Sequence, residues 1–290
     1  MPLFFIISGA TFFRSYDYHD YGKKLKSRVK SLAIPYFAWN ILISLFYIVL
    51  YTTSLKNFFG AENEFLLTKS YLFEAIVLHK RIAAFWFIYN LMFFILLSPI
   101  FFIFLQKKWT TAILFFVLLS LPYYATDCMK PYGLWAIAPF YYFTGCILGY
   151  YCFDEFAKSG TSISYPPIMI TLISIVVLML EAKEIISMCV MVRQLIVIGF
   201  ALSFWRLLDV LCNRVEEHSY MNHNFVIYAI HPFIQALIIK IFINILPKTG
   251  QSAVIIYILT AILTICIIVL CGEFLRKKSP RLYSIFSGGR

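Results

Sequence analysis

Long apolar runs constrain this chain more than any other feature of its sequence. Runs of about 20 mostly apolar residues recur along it, separated by short stretches with Lys, Arg, Pro or Gly. Because a helix of about 20 such residues spans the hydrocarbon core of a bilayer, each run predicts a transmembrane helix. The chain is 61% hydrophobic and only 13% charged, against roughly 25% charged residues in an average soluble domain. A soluble globular fold is therefore excluded.

The pattern predicts an all-α fold, a polytopic transmembrane helical bundle with about eight full spans and a partial N-terminal helix. The N-terminal apolar run, Pro2 to Phe13, extends only about 18 Å as a helix, well short of a hydrocarbon core of about 30 Å. The simplest organisation is a single integral-membrane domain over residues 1–290. The full spans are expected near Leu32 to Tyr51, Phe85 to Leu105, Thr110 to Tyr124, Leu134 to Cys152, Pro166 to Leu180, Ile185 to Leu208, Phe225 to Leu246 and Ala253 to Leu275.

The distribution of Lys and Arg predicts the orientation of these spans. Cytoplasmic loops near helix ends hold an excess of positive charge, and the segment from Arg14 to Lys30 is the most basic in the chain. Placing it inside and alternating along the chain leaves about sixteen basic residues inside and about seven outside. The largest outer loop is then Thr52 to Ala84, which contains Lys80 and Arg81.

The net charge of +11 follows from this topology and does not indicate nucleic acid as a partner. Basic inner loops also attract anionic headgroups, so we expect membrane lipids as partners. The seven cysteines form no CxxC and no Cys/His metal pattern, and no metal site is predicted.

Few polar residues lie at membrane depth, where an ionisable group is costly and is a functional candidate by default. Ser8-Gly9 interrupts an apolar run and either lines a functional cavity or allows close helix packing. His231 lies just inside a helix and is either functional or merely interfacial. Arg193 either snorkels to an interface or pairs with a carboxylate such as Glu181.

A dense basic stretch, KKLKSRVKSLAIPY from Lys23 to Tyr36, runs directly into a helix with a proline in its first turn. It is either only a topology determinant or an anion clamp. Arg offers planar bidentate donors and Lys a point charge, a combination that suits the phosphates of a donor such as an acyl-coenzyme A.

Four segments in order resemble motifs of the membrane-bound acyltransferase 3 family of bacterial sugar and cell-envelope O-acyltransferases. They are PLFFIISGATFF, RVKSLAIPYFAWN, FWFIYNLMFFILLSP and FVIYAIHPF, and together they extend over most of the chain. The resemblance implies transfer of an acyl group, often acetyl, from cytoplasmic acyl-coenzyme A to a hydroxyl of a glycan or lipid-linked saccharide. It also implies a multi-pass protein of the bacterial inner membrane, with acetyl-CoA or another acyl-CoA as donor substrate and no metal.

Family members begin with a further helix that carries the histidine usually given the main catalytic role. That helix has no counterpart ahead of Met1, so we expect an N-terminally shortened chain. Acyl transfer to an alcohol needs a base, donors for the oxyanion and a clamp for the donor phosphates. On this chain we expect Arg28 and Lys30 to bind the donor phosphates, and Ser8 and Gly9 to line the reaction chamber. We expect Trp86 and Gly9 to contact substrate, and the catalytic candidates are Ser8 and His231, the latter as a secondary polar group or as a substitute base.

Two alternatives stay open from the sequence. One is a transporter or flippase of a lipid-linked saccharide, which also needs many helices and a few buried charges. Such transporters commonly contain inverted repeats and broken helices in matching halves, and no convincing pair is present. The other is a catalytically inactive remnant of the acyltransferase family.

Overall fold

The computed structural model describes residues 1–14, 16–53, 68–129, 134–158, 165–212, 215–216, 218–245 and 249–289. This part of the chain is helical and contains no strand, which confirms the all-α prediction. Its α-helices are α1 (Pro2–Phe13), α2 (Tyr21–Arg28), α3 (Ile34–Thr52), α4 (Lys69–Ile76), α5 (Trp86–Leu96), α6 (Ser98–Leu105), α7 (Lys108–Met129), α8 (Ala138–Ile147), α9 (Phe153–Lys158), α10 (Tyr165–Ala182), α11 (Val190–Cys212), α12 (Asn224–Ile245), α13 (Gly250–Lys278) and α14 (Pro280–Ser287).

The helices confirm a polytopic membrane protein. Six are long and apolar enough to cross a bilayer, and α5 with α6 forms a further candidate bent by 59°. The predicted span from Leu134 to Cys152 is not among them; there α8 ends at Ile147 and continues as a π-helical turn, Leu148–Cys152, into α9. The six are Tyr18–Leu50, Lys108–Ala125, Tyr165–Ala182, Val190–Cys212, Tyr220–Ile245 and Gly250–Lys278.

The chain divides into two compact units, and each joins two stretches that are far apart in sequence. Unit 1 comprises Met1–Leu25 and Tyr89–Glu216, and unit 2 comprises Lys26–Ile88 and Glu217–Arg290. The single domain over residues 1–290 stays a prediction. Of the basic residues used to predict the orientation, several lie outside the described residues: Lys56, Lys130, Arg214, Lys248 and Arg290.

Close backbone packing between α1 and α8 organises unit 1. A side chain at Gly9 would collide with the Tyr142 carbonyl, and one at Gly145 would collide with the Ile6 carbonyl. Gly149 approaches the Ala10 carbonyl in the same way, in the π-helical turn that follows α8. Small residues let two helix backbones meet at short range, as in many membrane proteins. The expected half-length helix at Pro2–Phe13 is therefore present and tightly packed.

Lys24 caps the end of α1 in the same unit. Its Nζ donates to the carbonyls of Phe12, at 3.0 Å, and Arg14, at 3.3 Å. A cation at the carbonyl end of a helix also complements the helix dipole. Further along, Arg193 on α11 holds Glu181 on α10 by two nitrogens, with Nη2 2.6 Å from Oε1. Of the two alternatives for Arg193, the structure shows the ion pair.

The bend between α5 and α6 has a local cause. Pro99 has no N–H, so it cannot complete the helix by donating to the Ile95 carbonyl. Tyr21 approaches the freed region instead, with its hydroxyl 3.5 Å from the Ile95 carbonyl and 3.3 Å from that of Leu96. The side chain thus satisfies main-chain acceptors that the proline leaves open.

In unit 2 the segment 77–85 packs against α3. The Tyr36 hydroxyl, in the first turn of α3, donates to the Val77 carbonyl at 2.6 Å. The helix α4, which precedes Val77 in the chain, packs along α3. Val77 and Phe85 therefore lie beside the first turn of α3, whereas the Arg81 guanidinium lies against Tyr47, further along the same helix. The outer loop from Thr52 to Ala84 stays a prediction.

Candidate functional site

Three of the sequence motifs meet in a stack of aromatic rings in unit 2. Tyr36 stacks on Phe85, with ring centroids 5.3 Å apart, and Phe85 stacks on Tyr228 at 5.9 Å. The Tyr228 hydroxyl donates to the Ala84 carbonyl, which ties α12 to the start of α5. Each ring comes from a different motif, so the three motifs form one site although they are far apart in the chain. We call Tyr36, Phe85 and Tyr228 the aromatic ladder.

His231 lies one turn after Tyr228, at the end of this ladder, with ring centroids 6.4 Å apart. The next residue, Pro232, lies inside α12 and has no N–H to give to the Tyr228 carbonyl. The His231 ring takes the place of that donor, with Nδ1 2.9 Å from the Tyr228 carbonyl and 3.1 Å from that of Ile227.

This hydrogen bond determines the tautomer of His231. A carbonyl only accepts, so Nδ1 must hold the proton, and Nε2 of the neutral ring then has a free lone pair. Nε2 makes no hydrogen bond within the described residues. The ring is half-buried. Such a histidine is oriented by the main chain and able to accept a proton.

Trp86 is the first residue of α5 and directly follows Phe85 of the ladder. It is half-buried. The Tyr228 hydroxyl bonds to Ala84, two residues earlier, so Trp86 and His231 both lie within a turn of the same hydrogen bond. Both of these residues, selected from the sequence, therefore lie next in the chain to members of the aromatic ladder or within one turn of them.

Arg81 is a cation of this site that the sequence analysis assigned to an outer loop. Its guanidinium carbon lies 4.5 Å from the ring centroid of Tyr47 and 4.9 Å from that of Tyr71. Its Nε donates to the Tyr71 hydroxyl. Tyr47 in turn lies 6.5 Å from the ring of Phe233, two residues after His231. A cation among aromatic rings near His231 is a functional candidate, and its sequence signal is the Lys80-Arg81 pair just before an apolar helix.

Arg28 and Lys30 lie where α2 passes into α3. Arg28 ends α2 and is half-buried, and Lys30 is exposed on a π-helical turn, Val29–Ala33. Short π-helical turns inside helices are frequent at functional sites. Within the described residues Lys30 makes no ion pair, so its charge is available to an anion. Lys30 lies six residues before Tyr36, about 9 Å along the helix from the ladder.

A second histidine of unit 2, His223, was missed by the sequence analysis. It is completely buried, with Nε2 3.0 Å from Glu273 Oε1 and Nδ1 2.6 Å from the Tyr283 hydroxyl. The carboxylate accepts, so Nε2 holds the ring proton and Tyr283 donates to Nδ1. Burial raises the pKa of Tyr283, which keeps its hydroxyl protonated for this role. Arg276 pairs with the other oxygen of Glu273 at 2.9 Å.

Both ring nitrogens of His223 are therefore occupied, in contrast to His231. His223 joins the start of α12 to the C-terminal part of α13 and to α14. It holds helices together and has no free lone pair to act as a base. The sequence signal for His223 would have been the Gly272-Glu273 pair in an apolar helix. Gly272 leaves room for the His223 ring, because a Cβ at Gly272 would lie 2.6 Å from His223 Nδ1.

Ser8 and Gly9 lie in unit 1, on α1, whereas the other four selected residues lie in unit 2. Gly9 is buried against the backbone of α8, so the close-packing alternative is what the structure shows for it. Ser8 is half-buried, and its carbonyl accepts from Thr11 at 3.3 Å. The catalytic role of Ser8 and the substrate-binding role of Gly9 stay predictions. In the described residues no three His, Cys, Asp or Glu side chains are grouped to hold a metal ion.

Fold and site together define a multi-pass, all-helical membrane protein in which a main-chain-oriented histidine and a stack of aromatic rings meet near a basic turn. A family model described as an acyltransferase domain, that of the acyltransferase 3 family, matches residues 1–273. The chain belongs to this family and is a membrane acyltransferase. No curated protein and no solved structure matches it.

Proposed function

We propose that this acyltransferase moves an acyl group, acetyl in the simplest case, from acyl-CoA to a hydroxyl of a glycan or lipid-linked saccharide. The observation that carries the proposal is the free Nε2 of His231, since Nδ1 is bound to the main chain. A base of this kind suits removal of the proton from an alcohol. The membrane is the bacterial inner membrane, with the basic turn on its cytoplasmic side, as the family resemblance and the positive-inside rule indicate.

The reaction proceeds by direct attack. The acceptor oxygen bonds to the thioester carbonyl carbon while His231 Nε2 takes the hydroxyl proton. The tetrahedral oxyanion collapses, the carbon–sulfur bond breaks, and the imidazolium returns the proton to the leaving thiolate. Products are the ester and free coenzyme A, and no metal or oxidant is needed. Arg28 and Lys30 bind the donor phosphates, and Arg81 supplies positive charge for the oxyanion.

Trp86 serves the acceptor side. An indole face at the ladder offers a flat apolar surface for a sugar ring or a lipid link. Membrane depth suits an acceptor that is itself attached to a lipid. Ser8 and Gly9 belong to the proposal as residues lining the reaction chamber.

The test is acyl transfer in membranes that contain the full chain, with radiolabelled acetyl-CoA and extracted bacterial glycolipid as acceptor fraction. His231→Ala is expected to lower transfer by about 100-fold or more, the usual share of a general base. His218→Ala is the matched control, because His218 is exposed and stacks on Tyr220 with 5.4 Å between centroids. It should retain the rate of the natural chain.

Immunoblots must show equal amounts of each variant in the membrane. Undiminished transfer by His231→Ala would refute the role of His231. Absence of both CoA binding and transfer in the natural chain would refute the proposed function and favour the inactive remnant. Uptake of the lipid-linked saccharide without ester formation would favour the transporter, which the family match argues against.

A further inference from the structure

The last described segment, from Ser279 to Gly289, lies beyond the residues matched by the family model, which end at 273. It nevertheless docks on the parts of unit 2 that carry the basic turn. α14 packs on α3, and the Trp39 indole nitrogen donates to the Phe286 carbonyl at 3.0 Å. The two rings also meet edge to face, with centroids 4.9 Å apart. We call Ser279–Gly289 the C-terminal latch.

The other end of the latch is held by the buried His223. Tyr283 is 2% exposed and donates to His223 Nδ1 at 2.6 Å. Since His223 Nε2 is bound to Glu273, the tyrosine joins α14 to both α12 and α13. A buried bond of this kind orients the groups it connects, because leaving either partner unsatisfied would be costly.

The tip of the latch touches the basic turn itself. α14 ends in a left-handed glycine, Gly288, with φ of 78°. A Cβ on Gly288 would lie 2.5 Å from the Ser31 carbonyl oxygen, so only glycine fits there. Pro35 has no N–H, so it cannot donate to that carbonyl. Ser31 is the residue after Lys30.

Charge at this position favours an anion. Gly289 lies beside the side chain of Lys30, with 3.9 Å from its ideal Cβ position to Lys30 Cε. The carbonyl end of α14 also attracts the Lys30 ammonium and thereby restricts it. Arg281 lies eight residues before Gly289, about 12 Å along α14. Within the described residues neither Arg281 nor Lys30 makes an ion pair.

We infer that the C-terminal latch is the second half of the donor-phosphate site: Gly288 and Tyr283 are positioning residues that hold the Ser31 turn, and with it Lys30, against the phosphates of acyl-CoA. The inference rests on the proposed function, because it assigns those phosphates to Arg28 and Lys30. It explains why a left-handed glycine contacts a freed carbonyl one residue after the exposed lysine. Phosphate is the recognised group, and a lipid phosphate is the competing source.

The test is equilibrium binding of CoA to the full chain in nanodiscs of neutral lipid, at low salt. Gly288→Ala is expected to weaken CoA binding by about tenfold, because the clash displaces the charged donors. Gly250→Ala is the control, because Gly250 lies in unit 2 outside the latch and nothing lies within 4 Å of its ideal Cβ position. It should bind CoA within about twofold of the natural chain.

Tyr283→Phe removes only the hydroxyl and gives a second, milder test, with an expected loss of about threefold in CoA affinity. Pantetheine lacks the phosphates of CoA, so it distinguishes a loss of phosphate binding from general damage to the donor site. Its inhibition of transfer should be the same for Gly288→Ala as for the natural chain. In kinetics, KM for acetyl-CoA should rise while kcat at saturating donor is retained.

Each outcome of these experiments either supports or overturns the role of the latch in CoA binding. Equal CoA affinity of Gly288→Ala and Gly250→Ala, with the natural chain binding CoA, overturns the latch alone. Equal loss of pantetheine and CoA recognition assigns Gly288 a merely structural role and also overturns it. A second set of nanodiscs contains added anionic lipid: if Gly288→Ala leaves CoA affinity in neutral lipid unchanged and alters only the effect of the anionic lipid, the latch serves lipid phosphates and the inference is wrong. No CoA binding by the natural chain overturns the proposed function and the latch together.

Discussion

Prolines that free main-chain carbonyls recur at the important positions of this chain. Pro232 frees the Tyr228 carbonyl, which His231 takes at 2.9 Å. Pro35 frees the Ser31 carbonyl, against which Gly288 packs. Membrane interiors offer no water to such carbonyls, so a side chain or a neighbouring backbone must meet them. The prolines are visible in the sequence, but the sequence does not show which group contacts each carbonyl.

Replacement of Pro232 tests this account of His231. In Pro232→Ala the new N–H can donate to the Tyr228 carbonyl and competes with His231 Nδ1. The ring loses its orientation, and kcat for acyl transfer is expected to fall about tenfold, equivalent to about 1.4 kcal/mol in the barrier. CoA affinity should not change. Activity assays at saturating acetyl-CoA, together with CoA binding, give both quantities.

The control for this variant is Pro122→Ala, which replaces a proline inside α7 in unit 1. It shares the gain of a helix N–H but has no histidine ring to displace. An unchanged kcat in Pro232→Ala would show that the proline does not set the position of the base.

At the level of elements, unit 1 depends on how closely α1 approaches α8. Gly145 is completely enclosed by α1, whereas Gly22, on α2, has nothing within 4 Å of its ideal Cβ position. The two glycines therefore differ in how closely a neighbouring helix packs against them. The sequence indicated close packing for Ser8-Gly9 as an alternative, but Gly145 was not singled out because its partner, the Ile6 carbonyl, is about 140 positions away.

Gly145→Ala is expected to destabilise the protein by about 1–3 kcal/mol, because the added methyl group forces the two backbones apart. Thermal unfolding in detergent, followed by size-exclusion of the heated sample, should show a lowered Tm. Gly22→Ala should leave Tm unchanged or raise it, since alanine favours the helix. Equal Tm values for the two variants would contradict the close contact of α1 with α8.

The segment 77–85 shows the same dependence on distant partners. Its basic residues and its position before an apolar helix are typical of a loop, and the positive-inside rule has no means to detect aromatic anchors. Tyr36 and Tyr228 nevertheless each hold it by a hydroxyl bond to a main-chain carbonyl. These two bonds fix both ends of the segment that carries Arg81.

For the whole molecule, the orientation in the membrane is the property that the sequence predicts most directly. Lys277, Lys278 and Arg281 follow the last long apolar helix, so the end of the chain should lie in the cytoplasm. A green fluorescent protein fused after the last residue is expected to fluoresce in bacterial cells. An alkaline phosphatase fused at the same point should be inactive. The reverse pattern would contradict the predicted orientation. It would also place the donor site on the side of the membrane opposite to cytoplasmic acyl-CoA.

The sequence by itself determined the membrane environment, the helical class and the acyltransferase family, because apolar run length and ordered motifs are local properties of the chain. It also selected His231, Trp86, Arg28 and Lys30, which the tertiary structure brings into one unit. Only the tertiary structure decided which nitrogen of His231 is free, that His223 is a tie between helices, and that Arg81 lies among aromatic rings. The His223 and Arg81 contacts join residues 10 to 60 positions apart, which no local pattern encodes, and the His231 bond depends on a side-chain orientation that the sequence does not give.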